Sequence, residues 1–300
     1  MRVILVHNTR AGDGLAPGEL RRAIEGAGHQ IVREIAKGDE IAVDDADRAD
    51  VVAIAGGDGT VGDVARALAG RGVPLAPLPL GTANNIARSL GVSGEPEEIA
   101  SGWNGAARRV RFDLGAARGP WGQKRFLEGA GVGLVPAAIA AAQERGKKRI
   151  AKSGGGPIEG ARRVFRRALK ELKPSRFAVT ADGERLDGDY LLIQVLNIRS
   201  VGPNLVLSPE ADPGDGFLDL VLAGESEREA LRALLEEEDQ AEAAAALPTR
   251  RVRGVEISRR EDAASKERGA PVHVDDDLSP SGAMSVLALT VQPGQVEFLV

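Results

Sequence analysis

The chain has no cysteine, so disulfides and thiolate metal sites are excluded, and the composition is compatible with a reducing cytosol. It also lacks a basic excess. Its net charge of −5 argues against bulk nucleic-acid binding, which draws on surplus Lys and Arg. Nowhere do about 18 apolar residues run uninterrupted, so no segment is expected to span a membrane and any lipid contact would be peripheral. No internal repeat is visible. The N-terminal run Arg2-Val3-Ile4-Leu5-Val6 gives way at once to polar His7-Asn8. It is too short for a signal-peptide core and reads as a first buried strand, so a cytoplasmic location is expected.

What is present is ordinary soluble-protein material, with 300 residues, 43% hydrophobic and 28% charged. That length suits one large α/β domain or two smaller ones, each with its own core. Up to about residue 110, strand and helix signals alternate. Strands are expected at Val3–Val6, His29–Ile35, Val51–Ala55 and Leu75–Leu78, and helices at Pro17–Gly26, Val61–Ala69 and Asn84–Leu90. Such alternation implies βαβ units and a parallel sheet, with ligands at the carboxyl ends of the strands. Beyond it, Arg125–Gly133, Arg176–Asp182, Tyr190–Ile198, Phe217–Leu222, Arg253–Ser258, Val272–Asp275, Met284–Val291 and Gln295–Val300 read as strands of a mostly antiparallel sheet. Two helical inserts, Ile158–Leu172 and Glu227–Ala246, interrupt them. The expected division is 1–115 and 116–300.

Val51-Val52-Ala53-Ile54-Ala55-Gly56-Gly57-Asp58-Gly59-Thr60-Val61 is an apolar strand, a glycine loop and a helix start. Glycines let backbone amides approach a phosphate closely, and the helix N-terminus adds partial positive charge. Asp58 would repel a bare phosphate, but suits a site where it works through Mg2+ or orients a hydroxyl. Taken alone, the segment also reads as a tight β-to-α turn. Pro79-Leu80-Gly81-Thr82-Ala83-Asn84-Asn85 repeats the plan, with Thr82 or Asn84 able to cap the next helix. The loop from Asn8 to Gly14 follows the first strand and supplies a third wall.

These loops, Gly-Gly-Asp-Gly-Thr and then Pro-Leu-Gly-Thr-Ala-Asn-Asn about twenty residues on, resemble the bacterial diacylglycerol kinase-like lipid kinase family. The Gly-Gly-Asp-Gly element is shared more loosely with NAD kinases and phosphofructokinases. The resemblance implies a Rossmann-like three-layer nucleotide domain followed by a β-sandwich-like second domain, with the active site in the cleft between them. It further implies that Asn8, Gly56, Gly57, Asp58, Gly59, Thr60, Gly81, Thr82 and Asn84 hold the phosphates of ATP.

Two acidic segments follow. Asp212-Pro213-Gly214-Asp215-Gly216-Phe217 places two carboxylates three apart in a Pro/Gly loop. With the Phe217 carbonyl they offer the hard oxygen ligands that Mg2+ or Ca2+ prefers, although the same letters also make a plain acidic turn. The resemblance implies a structural Mg2+ at Asp212, Asp215 and Phe217. Val272-His273-Val274-Asp275-Asp276-Asp277 reads as a strand ending in three carboxylates, with Asp275 and Asp277 on one side of it if it continues. A solvated acidic turn is the alternative. The resemblance implies that Asp275 or Asp277 supplies the base for the acceptor hydroxyl; Asp277 stands where the family usually has Glu. The glycine-rich run Phe126–Gly133 is expected to serve backbone packing only.

Between Arg145 and Arg176 lie Lys147, Lys148, Arg149, Lys152, Arg162, Arg163, Arg166, Arg167, Lys170 and Lys173, a local reversal of sign. Within it, Ile158, Ala161, Val164, Phe165, Ala168, Leu169 and Leu172 recur at helical spacing. An amphipathic basic helix near 158–173 suits the anionic inner face of a membrane, or equally packs its apolar stripe on the second domain. The combined expectation is an ATP- and Mg2+-dependent kinase acting on a diacylglycerol-like lipid. The alternatives are an NAD kinase-like enzyme and a catalytically weakened nucleotide- or lipid-binding protein.

Overall fold

The structure, a computed structural model, describes residues 1–8, 17–39, 41, 48–105, 107–145, 155–237, 239–259, 271–279 and 286–300. They form two compact units. One comprises Met1–Asp113 with Pro293–Val300, the other Leu114–Gln292.

The first unit carries β1 (Arg2–His7), α1 (Pro17–Gly26), β2 (Gln30–Ala36), β3 (Val51–Gly56), α2 (Asp58–Leu68), β4 (Leu75–Pro79), α3 (Asn85–Ser89) and α4 (Pro96–Gly102). The strands pair in parallel in the order β2-β1-β3-β4. Alternation along each strand divides the burial. Val3, Leu5, Val51, Ala53 and Ala76 pack with Leu20 and Ile24 of α1 and with Ala100 of α4. Ile4, Val6, Val52 and Ile54 turn to the other face and are equally buried, which is why these strands read as unbroken apolar runs. The chain leaves β1 for β2 on one side and returns to β3 on the other. The crevice of such a doubly wound sheet therefore opens between the carboxyl ends of β1 and β3.

The second unit carries two sheets. Its elements begin with β5 (Arg109–Gly119, entering from the first unit), β6 (Gly122–Phe126), β7 (Gly129–Gly133), α5 (Leu134–Arg145) and α6 (Gly156–Glu171). They continue with β8 (Ser175–Ala181), β9 (Glu184–Arg185), β10 (Gly188–Tyr190), β11 (Leu192–Leu196), β12 (Ser200–Val201), β13 (Leu205–Val206), β14 (Leu218–Ala223), α7 (Arg228–Glu236) and α8 (Ala241–Ala245). The last are β15 (Thr249–Val252), β16 (Gly254–Arg259), β17 (Val272–Val274), β18 (Asp277–Ser279) and β19 (Leu287–Leu299). One antiparallel sheet runs β15-β14-β11-β7-β17-β18. Strands β10, β8, β16 and the start of β19 form a second antiparallel ladder. Phe177, Val179, Val255, Ile257, Leu287 and Leu289 from that ladder meet Ala130, Val132, Ile193, Val195, Leu218 and Leu220 from the other sheet in one apolar layer. This is a β-sandwich, and helices cover the outer face of the six-stranded sheet.

Several expected boundaries change. The strand expected over Arg125–Gly133 breaks at Leu127-Glu128, between β6 and β7. The single helix expected over Glu227–Ala246 is two, because buried Gln240 gives its side chain to Asn204 O and Val206 N–H instead of to a surface. The two strands expected at Met284–Val291 and Gln295–Val300 are one, β19, running through Pro293-Gly294; Met284 lies outside the described residues. At its end, in the first unit, Phe298 sits opposite Leu75, and Val300 and Arg108 exchange two backbone hydrogen bonds of 2.7 and 2.9 Å. Helices α4 and α5 were not expected.

The basic helix α6 buries Phe165 and Leu169 in one cluster with Leu231, Leu234 and Leu235 of α7. Its arginines do structural work on the same neighbour. Arg166 donates to Leu235 O and Arg162 to Glu237 O and Pro203 O, while Arg228 of α7 donates to Leu169 O and Leu172 O. Each helix thus uses an arginine to satisfy the orphan carbonyls at the other's C-terminus. Lys147, Lys148, Arg149 and Lys152 lie outside the described residues. Charged hydrogen bonds of this kind contribute about 1.5–3 kcal/mol each. Arg228→Met is expected to lower the unfolding free energy by about 1–3 kcal/mol in urea titration; an unchanged midpoint would show that α6 and α7 hold together without the exchange.

Candidate active site

At the carboxyl edge of the parallel sheet the loops after β3 and β4 come into backbone contact. Gly57 is the N-cap of α2 and has no side chain with which to cap it; its carbonyl accepts the N–H groups of Thr60 and Val61 at 2.9 and 3.1 Å. A Cβ on Gly57 would stand 3.0 Å from Gly81 Cα, and one on Gly81 would stand 2.4 Å from Gly57 Cα and 2.7 Å from Asn84 Oδ1. Gly81 cannot carry a side chain while the loops keep this contact, and one on Gly57 would require its neighbour to give by a few tenths of an ångström. Leu80 N–H also donates to Gly56 O at 3.1 Å.

Side chains lock the same junction. Asn84 has left-handed backbone (φ 51°), a conformation Asn tolerates better than most residues. Its Oδ1 accepts Gly81 N–H at 2.9 Å, and its Nδ2 donates to Gly81 O and Pro79 O. Asp58, the first residue of α2, accepts Ile86 N–H at 2.9 Å and so closes the start of α3. From β1, Asn8 Nδ2 donates to Thr60 Oγ1 at 3.3 Å, Thr60 itself being buried. Gly59 and Thr82 are exposed on the surface of this edge. The expected wall formed by residues 9–14 lies outside the described residues. Asn8, Gly56, Gly57, Asp58, Gly59, Thr60, Gly81, Thr82 and Asn84 therefore occupy one edge of one sheet. Lys37, just past β2 on that edge, was passed over because no motif marks it.

In the second unit the Asp275 segment departs from the expected strand. Val274 pairs with Asp277 and β17 reverses into β18, with Asp275 at φ 49°. The turn letters Asp-Asp win over strand continuation, so Asp275 and Asp277 do not share one strand face. The Asp275 carboxylate accepts the N–H groups of Leu127, Glu128 and Gly129 at 2.9–3.3 Å. It thereby holds the break between β6 and β7. Asp277 is the outward member, 78% exposed, with Lys124 Nζ at 4.0 Å.

The glycines of β7 have a related purpose. Gln194, Gly131 and His273 lie in one row across β11, β7 and β17. With no side chain on Gly131, Gln194 Oε1 and His273 Nε2 come within 2.8 Å over the middle strand, and a Cβ there would meet Ile193 O at 2.2 Å. His273 Nδ1 lies 2.9 Å from Asp275 O. Burial holds this imidazole's pKa down to about 4, so it stays neutral near pH 7 and braces the turn instead of exchanging protons.

The loop expected to hold a metal has a mixed donor set. Asp212 Oδ1 accepts Gly214 N–H, and Asp215 divides its oxygens between Phe217 N–H and the guanidinium of Arg251. Arg251 and Arg253 both lie over the Phe217 ring, at 4.4 and 4.7 Å. Behind them, burial raises the pKa of Asp219, which accepts the Ser208 hydroxyl. Two carboxylates and a carbonyl fit a hard divalent cation, on condition that Arg251 gives up Asp215. Among the described residues no group of three or more His, Cys, Asp or Glu is placed to hold a metal, so waters would have to complete the shell.

Two domain families match the chain: the diacylglycerol kinase catalytic domain over residues 2–116, and the YegS C-terminal NAD kinase beta sandwich-like domain over 163–300. A Klebsiella pneumoniae (strain 342) protein named "Probable lipid kinase YegS-like" is 32% identical over 227 residues, 71% of this chain and 72% of its own length. One of the same name from Pseudomonas aeruginosa (strain UCBPP-PA14) is 37% identical over 169 residues, 55% of this chain. The chain spans about half the length of that relative (51%). A crystal structure of a diacylglycerol kinase from Bacillus anthracis str. Sterne superposes over 99% of this chain and 96% of its own, with a TM-score of 0.67 at 20% identity, which speaks to the fold alone. The fold is that of an α/β domain followed by a β-sandwich-like domain. The chain belongs to the diacylglycerol kinase-like lipid kinase family.

Gly81→Ala is expected to destabilise the first unit by about 1–3 kcal/mol through overpacking. Gly18→Ala, in α1 with nothing within 4 Å of the added carbon, should be neutral or slightly stabilising. Equal urea midpoints for the two variants would rule out the tight loop contact.

Proposed function

We propose that this chain is an ATP-dependent lipid kinase that transfers the γ-phosphoryl group to the hydroxyl of a diacylglycerol-like lipid. The observation that carries the reading is the backbone contact of Gly57 with Gly81, at the edge where a doubly wound sheet binds ligands. It leaves a surface of backbone amides and small residues, the kind a phosphate chain can approach closely. Asn8, Gly56, Gly57, Gly59, Thr60, Gly81, Thr82 and Asn84 would form the nucleotide's bed. A Mg2+ ion bound with the nucleotide would supply charge neutralisation at the transferred phosphoryl group, and Asp58 is the carboxylate at hand to hold it or its waters. A second, structural Mg2+ is proposed for Asp212, Asp215 and Phe217 O, with Arg251 displaced.

For the base we propose Asp277. Asp275 spends its carboxylate on three backbone amides and serves to hold the turn, whereas Asp277 is exposed. In the reaction the acceptor oxygen bonds to the γ-phosphorus, its proton passes to the carboxylate, and the bond to the β,γ-bridging oxygen breaks to release ADP. No described helix is long and apolar enough to cross a membrane, so the acceptor would be met at the membrane surface.

The test is phosphoryl transfer from ATP to diacylglycerol in mixed micelles, beside NAD and an acceptor-free control. Labelled lipid is the expected product, with Asp277→Asn cutting turnover by roughly 10²–10⁴-fold and leaving ATP affinity unchanged. Asp58→Asn should cut turnover by at least about tenfold. Product on NAD alone would replace this reading with the NAD kinase-like one. Nucleotide binding without transfer to any acceptor would leave a binding protein.

Surface contact is proposed through the exposed cations of α6 and its end, Arg167, Lys170 and Lys173, since Arg162 and Arg166 are taken by α7. Each basic residue near an anionic bilayer contributes about 1 kcal/mol. Reversing these three to Glu should abolish sedimentation with phosphatidylglycerol vesicles without lowering the melting temperature; undiminished sedimentation would make α6 a packing element only.

A further inference from the structure

Lys37 stands just past β2, and its backbone N–H donates to the carbonyl of His7 at 2.8 Å, tying it beside Asn8. Its side chain turns toward the glycine loop: a Cβ placed on Gly59 would lie 3.8 Å from Nζ. The ammonium reaches Asp63 Oδ2, on α2, at 3.6 Å. That carboxylate has a second partner, Arg66, at 2.8 Å one turn along the helix. Both members of the lysine pair are well exposed, 37% for Lys37 and 59% for Asp63.

Three consequences follow from this geometry. An exposed pair at that separation is worth about 0–1 kcal/mol, so Lys37 leaves Asp63 at little cost. Arg66 stays behind, so the carboxylate keeps a counter-charge. The glycine loop itself offers neutral amides and one carboxylate, Asp58, so a polyphosphate that keeps net negative charge even with its Mg2+ gains from a further cation beside it. Lysine suits that task, being a compact charge on a flexible stem that can move a few ångströms.

We propose that Lys37 is a phosphate-neutralising residue of the nucleotide site, held on Asp63 until a phosphate chain takes it. The proposal rests on the nucleotide reading given above. It predicts that affinity depends on Lys37 in proportion to the ligand's charge, and that Asp63 competes with the ligand.

The test is calorimetric titration of the full chain with ATP, ADP and adenosine, in the presence of Mg2+, for wild type, Lys37→Met and Asp63→Asn. Lys37→Met should weaken ATP by about tenfold or more, the scale of a charge-assisted contact, and ADP by less, leaving adenosine unchanged. Asp63→Asn should tighten ATP severalfold. Raising salt should weaken ATP binding less in Lys37→Met than in wild type. Wild-type affinity for ATP in Lys37→Met, or an equal loss of adenosine, would overturn the assignment while leaving the nucleotide reading intact. Failure of the wild-type chain to bind ATP would overturn both.

Discussion

The first unit's carboxyl edge depends on one contact, the meeting of Gly57 and Gly81 without side chains between them. A Cβ on Gly81 would fall inside the van der Waals envelope of Gly57 Cα, and cores do not yield that much space without backbone movement. Everything else at the edge is arranged around the contact. Asn84 accepts a left-handed backbone to put its amide on Gly81 and Pro79, and Asp58 reaches from one loop to close the first turn after the other. The distance between the β3 and β4 loops is therefore fixed by backbone, and the side chains secure it.

Asp58 introduces a device that recurs in the second unit. Asp275 takes three consecutive amides across a strand break, and Asp182 takes those of Arg253 and Gly254. In the first unit, buried Asp113 accepts Gly294 N–H. Each joins segments far apart in sequence, at points where a ladder ends and backbone N–H groups would otherwise lack acceptors. Several of the chain's carboxylates are thus structural acceptors, and an acidic motif cannot be equated with a catalytic or metal-binding one on letters alone. The Asp275–Asp277 turn separates the two uses, with one carboxylate turned in to amides and its neighbour left at the surface.

The parallel half was legible because apolar runs of four to six residues, each followed by a small-residue loop and a helix signal, admit few alternatives. The meeting of the β3 and β4 loops was legible for the same reason, since glycines at strand ends mark where backbones approach. Other features depended on tertiary partners that leave no periodic trace. The break at Leu127-Glu128 is set by Asp275, almost 150 positions on. The end of α7 is set by Gln240, which accepts Val206 N–H and donates to Asn204 O, and this overrides the helix propensity of the run that follows. Helix α5 buries Leu134, Val135 and Ala138, and its partly exposed positions are largely Ala as well, so it shows little amphipathic contrast of its own. Lys37 had no motif because a flexible side chain reaching in from a neighbouring strand end carries no spacing rule.

The placement of positive charge completes the picture. The run of basic residues before β8 reads as one cationic face, but its members divide by depth. Arg162 and Arg166 point at the C-terminus of α7, and Arg228 answers from α7 to the C-terminus of α6. Two antiparallel helices whose dipoles already favour that arrangement are joined further by the exchange. Arginine suits it because a planar fork can serve two carbonyls at once. Arg167, Lys170 and Lys173 face outward, and with them stands whatever electrostatic reach the helix has. Substituting the whole run together would confuse loss of folding with loss of surface charge. The outer cations carry the surface, and the inner arginines hold the helix that presents them.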